Sequence, residues 1–413
     1  MPGLDFLREV LFRGKRTPVR PRTMHTLLGL YSWDRQPSDF RRSHSNMPNQ
    51  TSTRPCVAVL YQALDPPIIR GVTKPKKPGG YQDSGADIAY ALKSCSDIDV
   101  TSPLPLPDPP KDAGWCFPDT EDGILEAIRK GATHLWANTI LFASHPLQTS
   151  DKLETYLDSV QVVGQGPLAV ERYDDKQYVN DLLRQLDEFT MPQAWCIDDS
   201  QDIAAKLDYV SYPIVAKPVR GRGSEGVKVC YDPDELIAHA RTLLDHSSSI
   251  MLEEFLEGEE ITITVMPPSQ REPKYWSLPV VTRFNHQHGI APYNGTVAVT
   301  ANSRALSQSE HDQFHIRAMR ECERVAQVLG VTAPIRIDAR RAMDSENSAF
   351  VLFDINMKPN MTGPGRPGRD DQASLTLMAA SALGWSYQDL LCCILNNSLT
   401  LRCLRSLKPR EIF

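Results

Sequence analysis

The chain has 413 residues, 41% of them hydrophobic, and a formal net charge of -6. That length allows two or three domains with sizeable cores, while the lack of any apolar run of about 18–20 residues argues against a bilayer span and the mild negative charge, with no dominant basic face, argues against nucleic acid as the main partner. The nine cysteines include no CxxC pair and no secretory h-region opens the sequence, so the expectation is a reduced, cytoplasmic chain without a disulfide framework or zinc site.

Residues 1–54 stand apart. Arg8, Arg13, Lys15, Arg16, Arg20, Arg22, Arg35, Arg41, Arg42 and Arg54 outnumber the acids, with Ser, Thr, Pro and Asn between them. This composition reads as a partly disordered tail. A mitochondrial presequence is the alternative, with Asp5 and Glu9 against it.

Order begins at a short buried strand, Cys56–Tyr61, followed by a long loop from Asp65 to Gly80 with four Pro and three Lys. Asp83–Lys93 reads as a helix. The proline run 103–110 can only be a surface connection. Thr120 caps a helix that stops at Gly131, and His134–Phe142 reads as a strand. The alternation of strand and helix predicts a small α/β domain over 55–168.

Asp174 opens a helix with Tyr178, Leu182, Leu183 and Leu186 on one face. Asp232-Pro233-Asp234-Glu235 is a helix start, and Ser307 with Glu310 repeats the capping signature for a helix ending before Gly330. Strands are expected at Pro213–Val219, Val227–Tyr231, Ile250–Phe255, Glu260–Met266, Pro334–Met343 and Phe350–Met357.

Gly221-Arg222-Gly223-Ser224-Glu225-Gly226 has GxGxxG spacing. A dinucleotide fingerprint needs a helix straight after the glycines. Here strand-like Val227–Tyr231 follows instead. Strand, glycines, strand describes a flap whose backbone amides can cover a triphosphate. Lys217, on the entering strand, could meet phosphate oxygens. An ordinary glycine hairpin with a surface lysine is the plainer alternative.

Ile335–Arg340 and Val351–Asn356 both alternate, so Arg336, Asp338 and Arg340 share one face of their strand and Leu352, Asp354 and Asn356 share one face of theirs. A hairpin centred on Glu346 sets Asp338 opposite Asp354 and Arg336 opposite Asn356. Two carboxylates so opposed repel unless a cation joins them. A hard cation with oxygen ligands fits, Mg²⁺ above all, with Asn356 as third oxygen. Plain ion pairs of Asp338 with Arg336 or Arg340, and of Asp354 with Lys358, are the alternative.

Flap and carboxylate strands together resemble the ATP-grasp fold, and the motif order is most similar to its D-alanine–D-alanine ligase branch. By that resemblance the fold is α/β and α+β. A small N-terminal domain precedes two α+β lobes, over 169–260 and 261–413, that sandwich ATP. Lys176 matches the lysine of the helix opening the ATP domain, Lys217 the strand lysine, and Gly223-Ser224-Glu225-Gly226-Val227 the flap motif. Glu253, Leu256, Gly258 and Glu260 match the adenosine stretch. The resemblance implies that Glu253 or Glu254 contacts the adenine amine, the backbone near Phe255 and Leu256 the ring edge, and Glu260 the ribose. Asp338, Asp354 and Asn356 match the magnesium set, and Arg336 the arginine that steadies the tetrahedral intermediate.

The sequence also departs from that pattern. Asn360 stands where the branch has a glycine whose amide helps hold the oxyanion. The serine-containing acceptor loop is replaced by 363–369, where Arg366 and Arg369 are candidates for a substrate carboxylate. The flap over the triphosphate offers Arg283 and His286 or His288 but no matching lysine. The implied activity is an ATP- and Mg²⁺-dependent carboxylate–amine ligase, forming an amide through an acyl phosphate and releasing ADP. Its implied partners are small-molecule substrates of amino-acid type, with a homodimer allowed. A glutathione-synthetase-like or carboxylase branch, an adenylating enzyme, and a nucleotide-binding protein without ligase activity are the alternatives.

Overall fold

The computed structural model describes residues 54–198, 203, 209–292 and 298–410, all within one compact unit from Gln36 to Phe413. The tail reading therefore lies, but for Arg54, outside the described residues. No helix among the described residues is long and apolar enough to cross a membrane.

Three sheets carry the chain. The first is built on Cys56–Tyr61, whose four central residues are buried. It pairs in parallel with His134–Asn138, Asp99–Val100 and Phe117–Pro118, and Gln161–Val163 extends it in parallel beyond His134–Asn138. Strands covered on both faces need continuous apolar runs, and Val57-Ala58-Val59-Leu60 is one. Helix Gln82–Lys93 packs on one side, Glu121–Arg129 on the other. Thr120 caps the second of these, accepting from the Gly123 amide. The strand expected at His134–Phe142 stops at Asn138. The loop from Asp65 holds a two-residue hairpin, Ile68–Ile69 with Val72–Thr73, and a 3-10 turn at Pro78–Tyr81.

The second sheet is antiparallel, in the order Lys228–Cys230, Ile214–Pro218, Ser249–Glu254, Ala194–Asp198. Helix Pro233–Leu244 covers it, starting at the Asp232 cap with Pro233 in the first turn. The third is also antiparallel, running Ser303–Ala305, Val281–Arg283, Glu260–Met266, Ile335–Arg341, Phe350–Asn356. Its cover is the long helix Gln313–Leu329, which ends on left-handed Gly330. Ser307 and Glu310 do form a reciprocal cap, but on a 3-10 turn; Asp312 caps the long helix. Asp175, not Asp174, likewise caps helix Lys176–Gln185, whose buried face is Val179, Asn180, Leu182 and Leu183.

The span 261–413 does not stay with the third sheet. Leu399–Thr400 pairs antiparallel with Gln161–Val163, and Leu401 and Leu404 enter the core beneath the first sheet. Those residues correct the expected lobe boundary, because the apolar face of the last turn finds its partner in the N-terminal sheet. Helices Leu375–Ser381 and Tyr387–Leu395 share a core with Gln82–Lys93.

Candidate functional site

The flap forms because Ile214–Pro218 and Lys228–Cys230 pair antiparallel, Ala216 facing Lys228. Between them the backbone turns through left-handed Gly223, Ser224 and Gly226. Gly221, Gly223 and Ser224 line a cleft, whereas Gly226 turns its back on it, toward Leu243 and Pro218. Lys217 lines the same cleft from the strand. It is buried, and its Nζ lies 2.6 Å from Glu253 Oε1 and 3.3 Å from the Phe353 carbonyl. Glu253 also accepts from Asn180 Nδ2 at 3.3 Å. Burial pushes the Glu253 carboxyl up, against the pull of Lys217.

Past Glu253 the chain crosses between the second and third sheets. Glu254, Phe255, Leu256 and Glu260 all line the cleft. Glu253 points inward and is engaged, while Glu254 is exposed. Glu260 sits in register between Arg283 and Arg340 and receives His286 Nε2 at 2.8 Å. Arg340 lies 5.1 Å over the Phe255 ring and donates to the carbonyls of Gly258 and Gly289. The apolar wall is completed by Val215, Val229 and Phe353.

At the far end stands the carboxylate hairpin. Arg336 faces Asn356 and Asp338 faces Asp354, after which a bulge shortens the register so that Ala339 faces Leu352. Asn356 Nδ2 lies 3.2 Å from Asp338 Oδ2 and 3.3 Å from Asp354 Oδ2, so both carboxylates converge on one amide. Thr262 donates to Asp338 at 2.5 Å. Arg336 holds Asp338 through two bonds of 3.0 Å, and Lys176 pairs with Asp354. Burial pushes the Asp354 carboxyl up, but Lys176 and Lys217 outweigh it and hold it down. Lys176 is correspondingly raised by Asp354 against its own burial. Both therefore stay charged.

A metal fits this arrangement. Two carboxylates and an amide meet at one point, all are hard donors, and the amide orientation is a matter of which end faces inward. Asp338, Asp354 and Asn356 would hold it. Among the described residues no cluster of three or more His, Cys, Asp or Glu is placed to do so.

A second cavity opens beyond the hairpin. It shares Lys176, Gly221, Arg222, Gly223, Arg336 and Asn356 with the cleft. Its remaining wall includes Lys74, Lys77, Tyr81, Asp83 and Asp174 on one side and Lys358, Asn360 and Thr362 on the other.

The family described as D-ala D-ala ligase C-terminus matches residues 187–396, just over half of the chain. The chain belongs to this family. A D-alanine–D-alanine ligase of Bacillus anthracis is 30% identical over 199 residues, 48% of this chain and 58% of the relative. A Synechococcus D-alanine–D-alanine ligase is 25% identical over 249 residues, 60% and 71%. The chain thus spans little more than half the length of the first of these relatives. In three dimensions it resembles the B. anthracis ligase solved with ATP, at a TM-score of 0.58 and 18% identity over 85% of this chain and 98% of that one. The VanG D-Ala:D-Ser ligase of Enterococcus faecalis gives 0.57 and 14% over 83% and 98%. The fold is the ATP-grasp arrangement expected from the motifs.

Besides Gly226, two expected residues of this chain fall elsewhere. Arg366 is 0% exposed. It donates from Nε to Asp87, from Nη1 to the Pro109 and Lys111 carbonyls, and from Nη2 to the Asp83 carbonyl and Asp112. A guanidinium has five donors, and all five are used. It cannot grip a free carboxylate. Arg369 turns the same way and clasps Asp87 with bonds of 2.8 and 2.9 Å. Asn360 lines the second cavity, its amide 2.9 Å from Thr362 Oγ1. Lys74, Lys77 and Tyr81 were not singled out from sequence, and Lys358 was named only as an alternative partner of Asp354, which pairs with Lys176 instead. The signal for the first two was the lysine content of the Asp65–Gly80 loop; for Lys358 it was its place two residues past Asn356.

Proposed function

We propose that the chain is an ATP-dependent carboxylate–amine ligase that releases ADP and phosphate. The observation that carries this reading is the shared wall. Lys176, Arg222, Arg336 and Asn356 border both the cleft and the second cavity. A γ-phosphate lying over that wall meets an acid lying beyond it. ATP of the B. anthracis ligase complex supports nucleotide in the cleft by likeness of fold.

The adenine end lies against Phe255, Leu256 and Phe353, with Glu253 or Glu254 toward the exocyclic amine and Glu260 toward the ribose. Lys176, Lys217 and the amides of the flap hold phosphate oxygens. Asp338, Asp354 and Asn356 would hold Mg²⁺, which would supply neutralisation of phosphate charge. A carboxylate oxygen attacks the γ-phosphorus and the bond to the β-phosphate oxygen breaks, giving acyl phosphate and ADP. An amine nitrogen then attacks the acyl carbon, phosphate leaves and the amine gives up a proton. Arg336 steadies the oxyanion, with Asn360 in the same wall. The chain's own part is to align the two cavities and exclude water.

The test is acid-stimulated ADP release from pooled acids and amines with ATP and Mg²⁺, with products identified by mass. Asp338→Asn and Asp354→Asn should each lower it by roughly 100-fold or more, as loss of charge-stabilising groups does. Full activity in either variant would remove the metal assignment. AMP and pyrophosphate as products would indicate an adenylating enzyme, and tight ATP binding without turnover a non-ligase.

A further inference from the structure

Most charges around the second cavity are matched in pairs, and two cations of its lining, Arg222 and Lys358, have no ion pair among the described residues. Lys74 Nζ lies 2.5 Å from Asp174 and 2.9 Å from the Gly221 carbonyl. Lys77 lies 2.7 and 2.8 Å from the two oxygens of Asp83. Lys176 is matched by Asp354 and Arg336 by Asp338. Lys358 is different. Its Nζ is buried and has no hydrogen-bond partner among the described residues. It sits 3.4 Å over the Tyr81 ring, and Lys77 approaches that same ring at 4.9 Å.

A face of Tyr81 stabilises an ammonium by roughly 1–2 kcal/mol, well short of what burying one without an anion costs. Two ammonium groups on one ring also repel. Asp83 bonds Lys77 with both oxygens and makes no hydrogen bond to Lys358. An anion bound beside Lys358 would offset that cost. Asp174, which also lines the cavity, is held by Lys74 through Oδ1, and its buried Oδ2 has no hydrogen-bond partner among the described residues.

Resting on the ligase reading above, we propose that the acid bound in this cavity carries a second anionic group, carboxylate or phosphate, which Lys358 receives while the first carboxylate faces Arg336 and Asn356. Lys358 stands two residues beyond Asn356, so their Cα atoms are at most about 7 Å apart. Lys358, Arg336 and Asn356 all line this cavity, so one bound acid can face them together. Lys358 is then a specificity residue, separating acids with two anions from those with a neutral side chain.

The experiment is calorimetric titration of the full chain, loaded with Mg²⁺ and a non-hydrolysable ATP analogue. The ligands are matched pairs in both enantiomers: glutamate against glutamine, and O-phosphoserine against serine. In at least one pair the anionic member should bind at least about 10-fold tighter, the usual scale for a charge-assisted contact. Which pair responds separates carboxylate from phosphate. Lys358→Met should abolish that preference without changing affinity for the analogue, and Lys358→Arg should retain most of it. Lys358→Met should also melt no lower than the parent, because it removes a buried charge that lacks an anion.

Equal binding within both pairs overturns the proposal. So does a Lys358→Met variant that loses nucleotide affinity instead, since Lys358 would then serve the triphosphate, or one that melts well below the parent. Acids that bind with this preference yet never raise ADP release would sink the ligase reading and leave the anion site standing.

Discussion

Lys217 is 4% exposed and Glu253 3%, and their 2.6 Å contact is a buried ion pair at the centre of the cleft. Breaking such a pair from one side typically costs about 3–5 kcal/mol, because the remaining charge is stranded, whereas replacing both partners costs far less. Lys217→Met should therefore lose stability on that scale in urea unfolding. Lys217→Met/Glu253→Met should recover more than half of it. If the single variant is as stable as the parent, Lys217 is held by something other than Glu253. Loss of activity in Lys217→Met is thus ambiguous alone, and the difference in nucleotide binding between Glu253→Met and the double variant is the cleaner measure of phosphate contact. The carboxylates of the hairpin were legible as residues, through alternation and repulsion. Arg366 was misread, because nothing near it in sequence announces Asp87, almost three hundred positions away.

Elements were legible where local chemistry decides them. Cys56–Tyr61 and Glu260–Met266 begin and end where the apolar pattern does. Pairing of Asp338 with Asp354 followed from a turn placed at Glu346, yet the bulge next to them did not, since alternation carries no mark of an extra residue. The flap offers a test at this scale. Ser224 has φ +59°, left-handed without being glycine, whereas Gly226 has φ +74° and a Cβ there would lie 3.0 Å from Leu243 Cδ2. A left-handed conformation costs an L-residue roughly 1–2 kcal/mol. Ser224→Gly should raise thermal stability slightly, by up to about 1 kcal/mol. Gly226→Ala should lower it by about 1–2 kcal/mol and weaken ATP binding by tilting the hairpin. A Gly226→Ala protein with parental stability and ATP affinity would mean that the turn adapts freely.

At the scale of the whole molecule, residues 399–406 decide how the two ends of the chain are joined. The long-range pairing of Leu399 with Val162 is invisible to periodicity, because a two-residue strand has none. Yet Leu401 and Leu404 are both 0% exposed, packed with Ala58, Leu60, Leu135 and Val162 of the first sheet. Arg405 adds a bond to the Leu147 carbonyl and another to Ser150. The last strand also covers an edge, Gln161–Val163, whose amides and carbonyls would otherwise template pairing with another chain. Leu401→Ala and Leu404→Ala should each cost about 2–5 kcal/mol, the range for a buried leucine whose site cannot collapse. Both substitutions lie far from the cleft in sequence and in the sheet they join. Nucleotide affinity, measured in conditions where each variant is still folded, should then be unchanged. A variant that kept its stability but lost ATP binding would reverse that assignment, making this segment part of the nucleotide site rather than the clasp that closes the first sheet.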